Sequence, residues 1–357
     1  MDLRTAAAPT PRAAARLKNP AVWLAALLAA ALLLRLGLAL VYHPADFPDT
    51  QGYTQMANVI ASGKWMANLG ARPPVYPAFI LLFGQDRARV WLAQAALGLL
   101  SAAVFFLAGL RLTGRPALGF AGGLAAALLL PELFLEAVVM SEVLGAFLLT
   151  LTLAAAGLLW TGRSNGVGTA LLVGALAGLS TLTRPSFLYI GLLLAVLALL
   201  RRKPAQAAAL LVPFLALVLG WSAVNLKTAD VFNLTSLTGY NLINHTGAWI
   251  EYAPEEYAGI RDVYIRHRDQ RIAETGNQAM TIWRAYPELD PSGAGYTQVS
   301  KDLTALSLRL ILRRPDLYAV SAFKAWVGFW KVPIYWQLEN VSPPGLVPLL
   351  RAAWTAE

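Results

Sequence analysis

Two aspartates stand three residues apart in His43-Pro-Ala-Asp46-Phe-Pro-Asp49, with Tyr53 one helical turn further on. The same polar interval continues through Gly63-Lys64-Trp65 to Arg72-Pro-Pro-Val-Tyr76-Pro. A carboxylate here can serve as a general base, and an arginine can grip a phosphate bidentately or offset charge on a phosphate leaving group. Further along come Glu132, Glu136 and Glu142, then Arg184-Pro185, while Arg35 sits inside the first apolar run. Each has a structural reading beside the chemical one. Asp49 follows a proline and opens a helix, so it also reads as an N-cap, which would lower its pKa and weaken it as a base. Arg72-Pro-Pro also reads as a rigid re-entry turn, and Glu142 as a first-turn carboxylate favoured by the helix dipole. Arg184 before a proline is a natural helix boundary. Arg35 is expected to snorkel towards the membrane surface, although an arginine inside a span is a functional candidate by default.

The composition names the solvent these residues face. The chain is 57% hydrophobic and 14% charged, against about 25% charged in soluble domains. Mean hydropathy is +0.54. The formal net charge is +9, but the basic residues lie in short clusters between apolar runs, as a membrane-orientation signal does, and not in the single patch a nucleic acid needs. There is no cysteine, which removes disulfides, thiolate metal ligands and thiol nucleophiles. His43, His245 and His267 lack metal-ligand spacing. Asn233-Leu-Thr and Asn244-His-Thr match the glycosylation acceptor pattern, which is common by chance.

The elements that must position the site follow from the apolar runs. Residues 1–19 form a basic arm, expected in the cytoplasm, and 20–227 a membrane module with its key loop at 43–88. Residues 228–316 are a polar, aromatic exoplasmic region, and 317–357 an interfacial aromatic segment with the start of a possible further span. Counting runs gives an all-α polytopic protein of about seven spans: 20–42, 89–110, two between 117 and 160 turning at Pro131, two between 166 and 200 divided at Arg184-Pro185, and 206–226. The basic clusters Arg111/Arg115, Arg163 and Arg201–Lys203 then fall on one side, and the carboxylates gather on the other. Tyr53, Met56, Ala57 and Ile60 predict a short amphipathic helix ending at Gly63. Pro74–Phe83 is too short to span at 1.5 Å per residue. Residues 297–313 predict an amphipathic helix through Leu303, Leu306 and Leu310, and turns are expected at Pro254, Pro287 and Pro291.

Asp49-x-x-x-Tyr53, Ala57, Gly63 and Arg72-Pro-Pro-x-Tyr76-Pro together resemble the first exoplasmic loop of C-type (GT-C) glycosyltransferases. The match is to the bacterial, family 39-like branch, similar to protein O-mannosyltransferases and the aminoarabinose transferase of lipid A. It continues through Ser141-Glu142, Thr183-Arg184-Pro185 and Ile311-Leu-Arg-Arg-Pro315-Asp-Leu-Tyr318, followed by Lys324 and Trp330. The order and spacing carry the resemblance, and no one motif does.

The resemblance implies transfer of a sugar from a polyprenyl-phosphate donor to a protein, lipid or glycan acceptor on the exoplasmic face of the bacterial cell membrane. Asp49 would be the base, Arg72 and Arg184 would hold the lipid phosphate, Glu142 would support the site, and Tyr53 and Tyr76 would line it. Arg35, Glu136 and Asp46 are secondary candidates. Some relatives use a second first-loop acid near the catalytic aspartate with a divalent cation; Asp46 is the one candidate for it here, and no metal ligands are assigned. The family also implies further spans beyond this chain. Two other readings compete: a polymerase or ligase of lipid-linked oligosaccharides, and a non-enzymatic flippase or transporter, which predicts charges deep within the spans.

Overall fold

The computed structural model describes residues 19–161, 166–293, 295–330 and 340–348. The basic arm before Asn19, Arg163 and the chain end after Pro348 lie outside the described residues. Among the described residues the fold is helical, with only two isolated β-bridges. It divides into two compact units: Met1–Asn58, Pro74–Val218 and Ile334–Glu357 form one, and Val59–Pro73 and Leu219–Pro333 the other.

The first unit is built from long apolar helices. Helix α1 (Pro20–Val41) starts where the Asn19 side chain accepts from the Ala21 amide at 2.9 Å, satisfying one of the amides a helix start leaves bare. It leads to α2 (Thr50–Ser62), which Gly63 stops at φ +65°, and to the short α3 (Val75–Leu82). Helix α4 (Arg87–Thr113) is capped by Asp86, which accepts from Arg89 N at 2.9 Å, and ends at the left-handed Gly114. Helices α5 (Pro116–Ala127) and α6 (Leu130–Glu136) meet at a bend of 56°. Then come α7 (Glu142–Trp160), α8 (Gly166–Thr183), α9 (Leu188–Leu200) and α10 (Pro204–Ala229), the last of which continues into the second unit.

Five of these helices, α1, α4, α7, α8 and α10, are long and apolar enough to cross a membrane. Their outward leucines, such as Leu33 and Leu40 on α1 and Leu92 and Leu112 on α4, stay exposed; that is stable only where the solvent is apolar. Helix α4 packs against α1, α5 and α7, and α7 against α8. Two expected spans take other forms. The first of the pair expected between 117 and 160 is the broken α5–α6 piece, because Pro131 lacks the amide that would continue a helix. The run after Arg184 is only 16 residues, Pro185–Leu200, because Pro185 forces Arg184 into extended geometry (φ −140°, ψ 111°) and starts a new turn.

The second unit has a core of the soluble kind. Helices α11 (Thr238–Thr246), α12 (Ala258–Thr275), α13 (Thr281–Leu289), α14 (Tyr296–Arg313) and α15 (Pro315–Phe329) surround Tyr240, Ile243, Ile250, Tyr264 and Ile282. Helix α14 delivers Leu303, Leu306 and Leu310 to that core, all fully buried, as the helical period demands. Tyr240 stacks on Trp283 at 5.1 Å and on Tyr296 at 4.9 Å. Pro287, expected at a turn, lies inside α13; so near the end of a short helix its missing amide costs one bond and does not stop the helix.

Candidate functional site

The loop bearing the two aspartates is held to the segment that precedes α7. Ala45 N donates to Ala137 O at 2.9 Å, and Val139 N donates to Ala45 O at 3.3 Å. The Thr50 hydroxyl donates to Val139 O at 3.0 Å and accepts from Phe47 N at 2.9 Å. These bonds answer the need of extended, non-helical backbone for partners, and Tyr42, Ala45, Phe134, Ala137 and Val138 pack beside them. Asp49 is exposed, immediately before α2, and its carbonyl opens the helix by accepting from Gly52 N at 3.1 Å. Asp46 is ion-paired with Arg87 at the start of α4.

Tyr53 and Tyr76 carry this loop inward. The Tyr53 hydroxyl lies 2.8 Å from Ser141 Oγ, and its ring meets Tyr76 edge-on at 4.8 Å between centroids. Tyr76 is fully buried and donates to Gln94 Oε1 at 2.9 Å. Burial first, then the neighbouring Tyr53 and Glu142, push its phenol far above the ordinary value, so it stays a neutral donor.

Ser141 precedes Glu142, the first residue of α7, whose carboxylate is ion-paired with Arg184. Arg184 Nη1 also reaches Ser141 Oγ at 3.5 Å. The pair is partly open, with side chains 33% and 23% exposed, and Glu142 Oε2 is buried with no hydrogen-bond partner. Gly145, one turn along α7, makes room for the arginine: a Cβ there would stand 2.9 Å from Arg184 Cδ.

Arg35 does not snorkel. It is 6% exposed and grips Glu136 through Nε at 2.9 Å and Nη2 at 2.5 Å, while Nη1 donates to Ala31 O at 3.1 Å. Burying both charges as a bidentate pair replaces the water each would lose. Gly98 on α4 permits it, because a Cβ there would overlap Glu136 Oε1 and Arg35 Nη2.

Arg72 belongs to the second unit. The residues leading to it are stapled there. Asn68 Nδ2 donates to Asn225 Oδ1 at 3.1 Å and to Thr228 Oγ1 at 3.0 Å, and its Oδ1 accepts from Gly70 N at 2.8 Å. Ser236 N donates to Gly70 O at 2.8 Å, and Thr235 Oγ1 to Ala71 O at 2.9 Å.

The first unit thus gathers Asp46, Asp49, Tyr53, Tyr76, Glu136, Glu142, Arg35 and Arg184. Gln94 and Arg87 went unforeseen. A lone glutamine inside an apolar span is a signal that could have pointed to Gln94; nothing local pointed to Arg87. Among the described residues no group of three or more His, Cys, Asp or Glu side chains is arranged to hold a metal ion. Asp46, the acid expected beside a cation, is ion-paired with Arg87 instead.

Chemically, the partly open Arg184 guanidinium and the Ser141 hydroxyl can donate to an oxyanion, which would share the arginine with Glu142. Comparison with protein-family models, with curated proteins and with solved structures finds no match.

Proposed function

We propose that this chain is a membrane glycosyltransferase that moves a sugar from a polyprenyl-phosphate donor to an acceptor on the exoplasmic face of a bacterial cell membrane. The observation that carries the reading is Arg184: a half-open guanidinium beside Ser141 and Glu142, at the ends of apolar helices α7 and α8. Its segment is tied through Tyr53 and Thr50 to the loop bearing Asp49. An anionic head on an apolar tail suits that setting, since the guanidinium pairs with phosphate while the tail stays in lipid.

The acceptor's hydroxyl or amine attacks the anomeric carbon opposite the departing oxygen. The bond from that carbon to the phosphate oxygen breaks, and the lipid phosphate leaves with the bonding electrons. Asp49 takes the acceptor's proton, and Arg184 offsets the charge gathering on the phosphate. The anomeric configuration inverts. In this reading the N-terminus is cytoplasmic, and about seven crossings include α5–α6 and 185–200 as short or bent members. The phosphate role of Arg72 is a separate proposal that rests on the motif.

Binding of undecaprenyl phosphate and of undecaprenol to the detergent-purified chain tests the reading. Arg184→Ala should weaken the phosphate about tenfold or more and leave undecaprenol unchanged. Equal loss for both lipids, or none, sinks it. One observation favours a transporter instead, the buried Arg35–Glu136 pair. Vesicles that carry lipid-linked sugar across without consuming it would establish that reading.

A further inference from the structure

Gln94 on α4 is fully buried in the first unit, and its carboxamide is fully engaged. Its Nε2 donates to Glu136 O and Val138 O, both at 2.8 Å, with Leu135 O further off at 3.3 Å. Its Oε1 accepts from the Tyr76 hydroxyl at 2.9 Å. Glu136 is the last residue of α6 and Val138 lies between α6 and α7, so neither carbonyl has an intrahelical partner.

Both arms of this grip converge on Ser141. One runs along the backbone from Val138 through Val139, which is itself fixed to Ala45 and Thr50. The other runs from Tyr76 through the Tyr53 ring to the Tyr53–Ser141 hydrogen bond. Ser141 and Glu142 are the groups that touch Arg184.

We propose that Gln94 is a positioning residue: its carboxamide sets the place of Ser141 and Glu142, and through them the aim of Arg184 at an anionic lipid head. This rests on the reading of Arg184 as the phosphate ligand. The role requires a group that donates twice and accepts once on a single planar head, which among the side chains of this shape is the carboxamide. A carboxylate would turn acceptor oxygens towards backbone carbonyls. A protonated carboxyl would accept from Tyr76 and still donate one hydrogen bond.

The test is therefore a pH profile. Undecaprenyl phosphate binding to Gln94→Glu is compared with wild type at each pH from 5 to 8.5, so that titration of the lipid itself cancels in the ratio. The ratio should lie near one at the acidic end and fall about tenfold at the basic end, the worth of one or two hydrogen bonds. A flat ratio, whether or not the variant melts lower than wild type, overturns the proposal and leaves Gln94 a stability residue. Arg184→Ala, run alongside, separates the two failures. Loss of binding at every pH upholds the phosphate ligand, whereas wild-type binding refutes that reading and the Gln94 role with it. Tyr76→Phe keeps the ring packed and removes only the hydroxyl, so it serves if Gln94→Glu does not fold. It should weaken binding about threefold at all pH values; undiminished binding removes the tyrosine arm and, where Gln94→Glu fails to fold, the proposal.

Discussion

Arg35 and Glu136 lie 101 positions apart in the chain and meet as a buried, bidentate ion pair. At 2.9 Å the gross attraction is about 6 kcal/mol for an effective dielectric near 20. Desolvating two ions consumes much of that, so the pair as a whole contributes little. The asymmetry appears when one partner is lost. Arg35→Leu leaves a carboxylate buried against Gly98, and Glu136→Leu leaves a guanidinium hydrogen-bonded to Ala31 O with Glu132 as its neighbouring carboxylate; each should cost about 3–5 kcal/mol. The double variant should recover most of the loss, because neither member of the pair is left buried without the other. Thermal unfolding of the detergent-purified chain, followed by circular dichroism, reads the cycle. Both singles should melt well below wild type and the double close to it. Singles whose effects simply add in the double would refute the reasoning, since additivity means the two groups do not share one burial cost.

Three further expectations follow from particular contacts. Gly145→Val puts carbon where Arg184 Cδ stands and should weaken undecaprenyl phosphate binding about tenfold with helix content unchanged; unaltered affinity counts against the placement of Arg184. Leu306→Ala opens a void in a fully buried site of the second unit and should cost about 2–5 kcal/mol, read as a lower melting temperature. The second unit should also loosen in acid. A hydrogen bond from Tyr286 first, and then, against the opposing effect of burial, the Ser292 hydroxyl and the Gly295 amide hold the Asp290 carboxyl below its ordinary 3.8. Arg284 does the same for Glu274, and Arg314 for Asp316. Depressed carboxylates contribute stability above their ordinary values and lose it as pH falls through the folded ones, so hydrogen-exchange protection factors in α13 and α14, corrected for the intrinsic rate at each pH, should fall below about pH 4. Constant or higher protection factors on acidification contradict this sign.

Much of the helical frame was legible because its cause is local. Runs of apolar residues foretold α1, α4, α7, α8 and α10. The three-and-four spacing foretold α2 and α14, down to Leu303, Leu306 and Leu310 in the core. Proline marked real breaks at Pro131 and Pro185, but a break alone does not say whether two spans or one bent piece result. It misled at Pro287, where a short helix tolerates the missing amide. Snorkelling is the default for a span arginine, and the carboxylate that overrides it for Arg35 sits far along the chain. Gln94 shows in the sequence only as a lone glutamine in an apolar run; the backbone carbonyls it holds leave no trace in residue types.

In the proposed mechanism Asp49 takes the acceptor's proton. Membranes containing the chain or its Asp49→Asn form, in equal amounts, can be supplied with labelled undecaprenyl-phosphate sugars and the transferred label measured. Transfer should fall about 10²–10⁴-fold in Asp49→Asn while undecaprenyl phosphate binding persists. Undiminished transfer by the variant contradicts that mechanism.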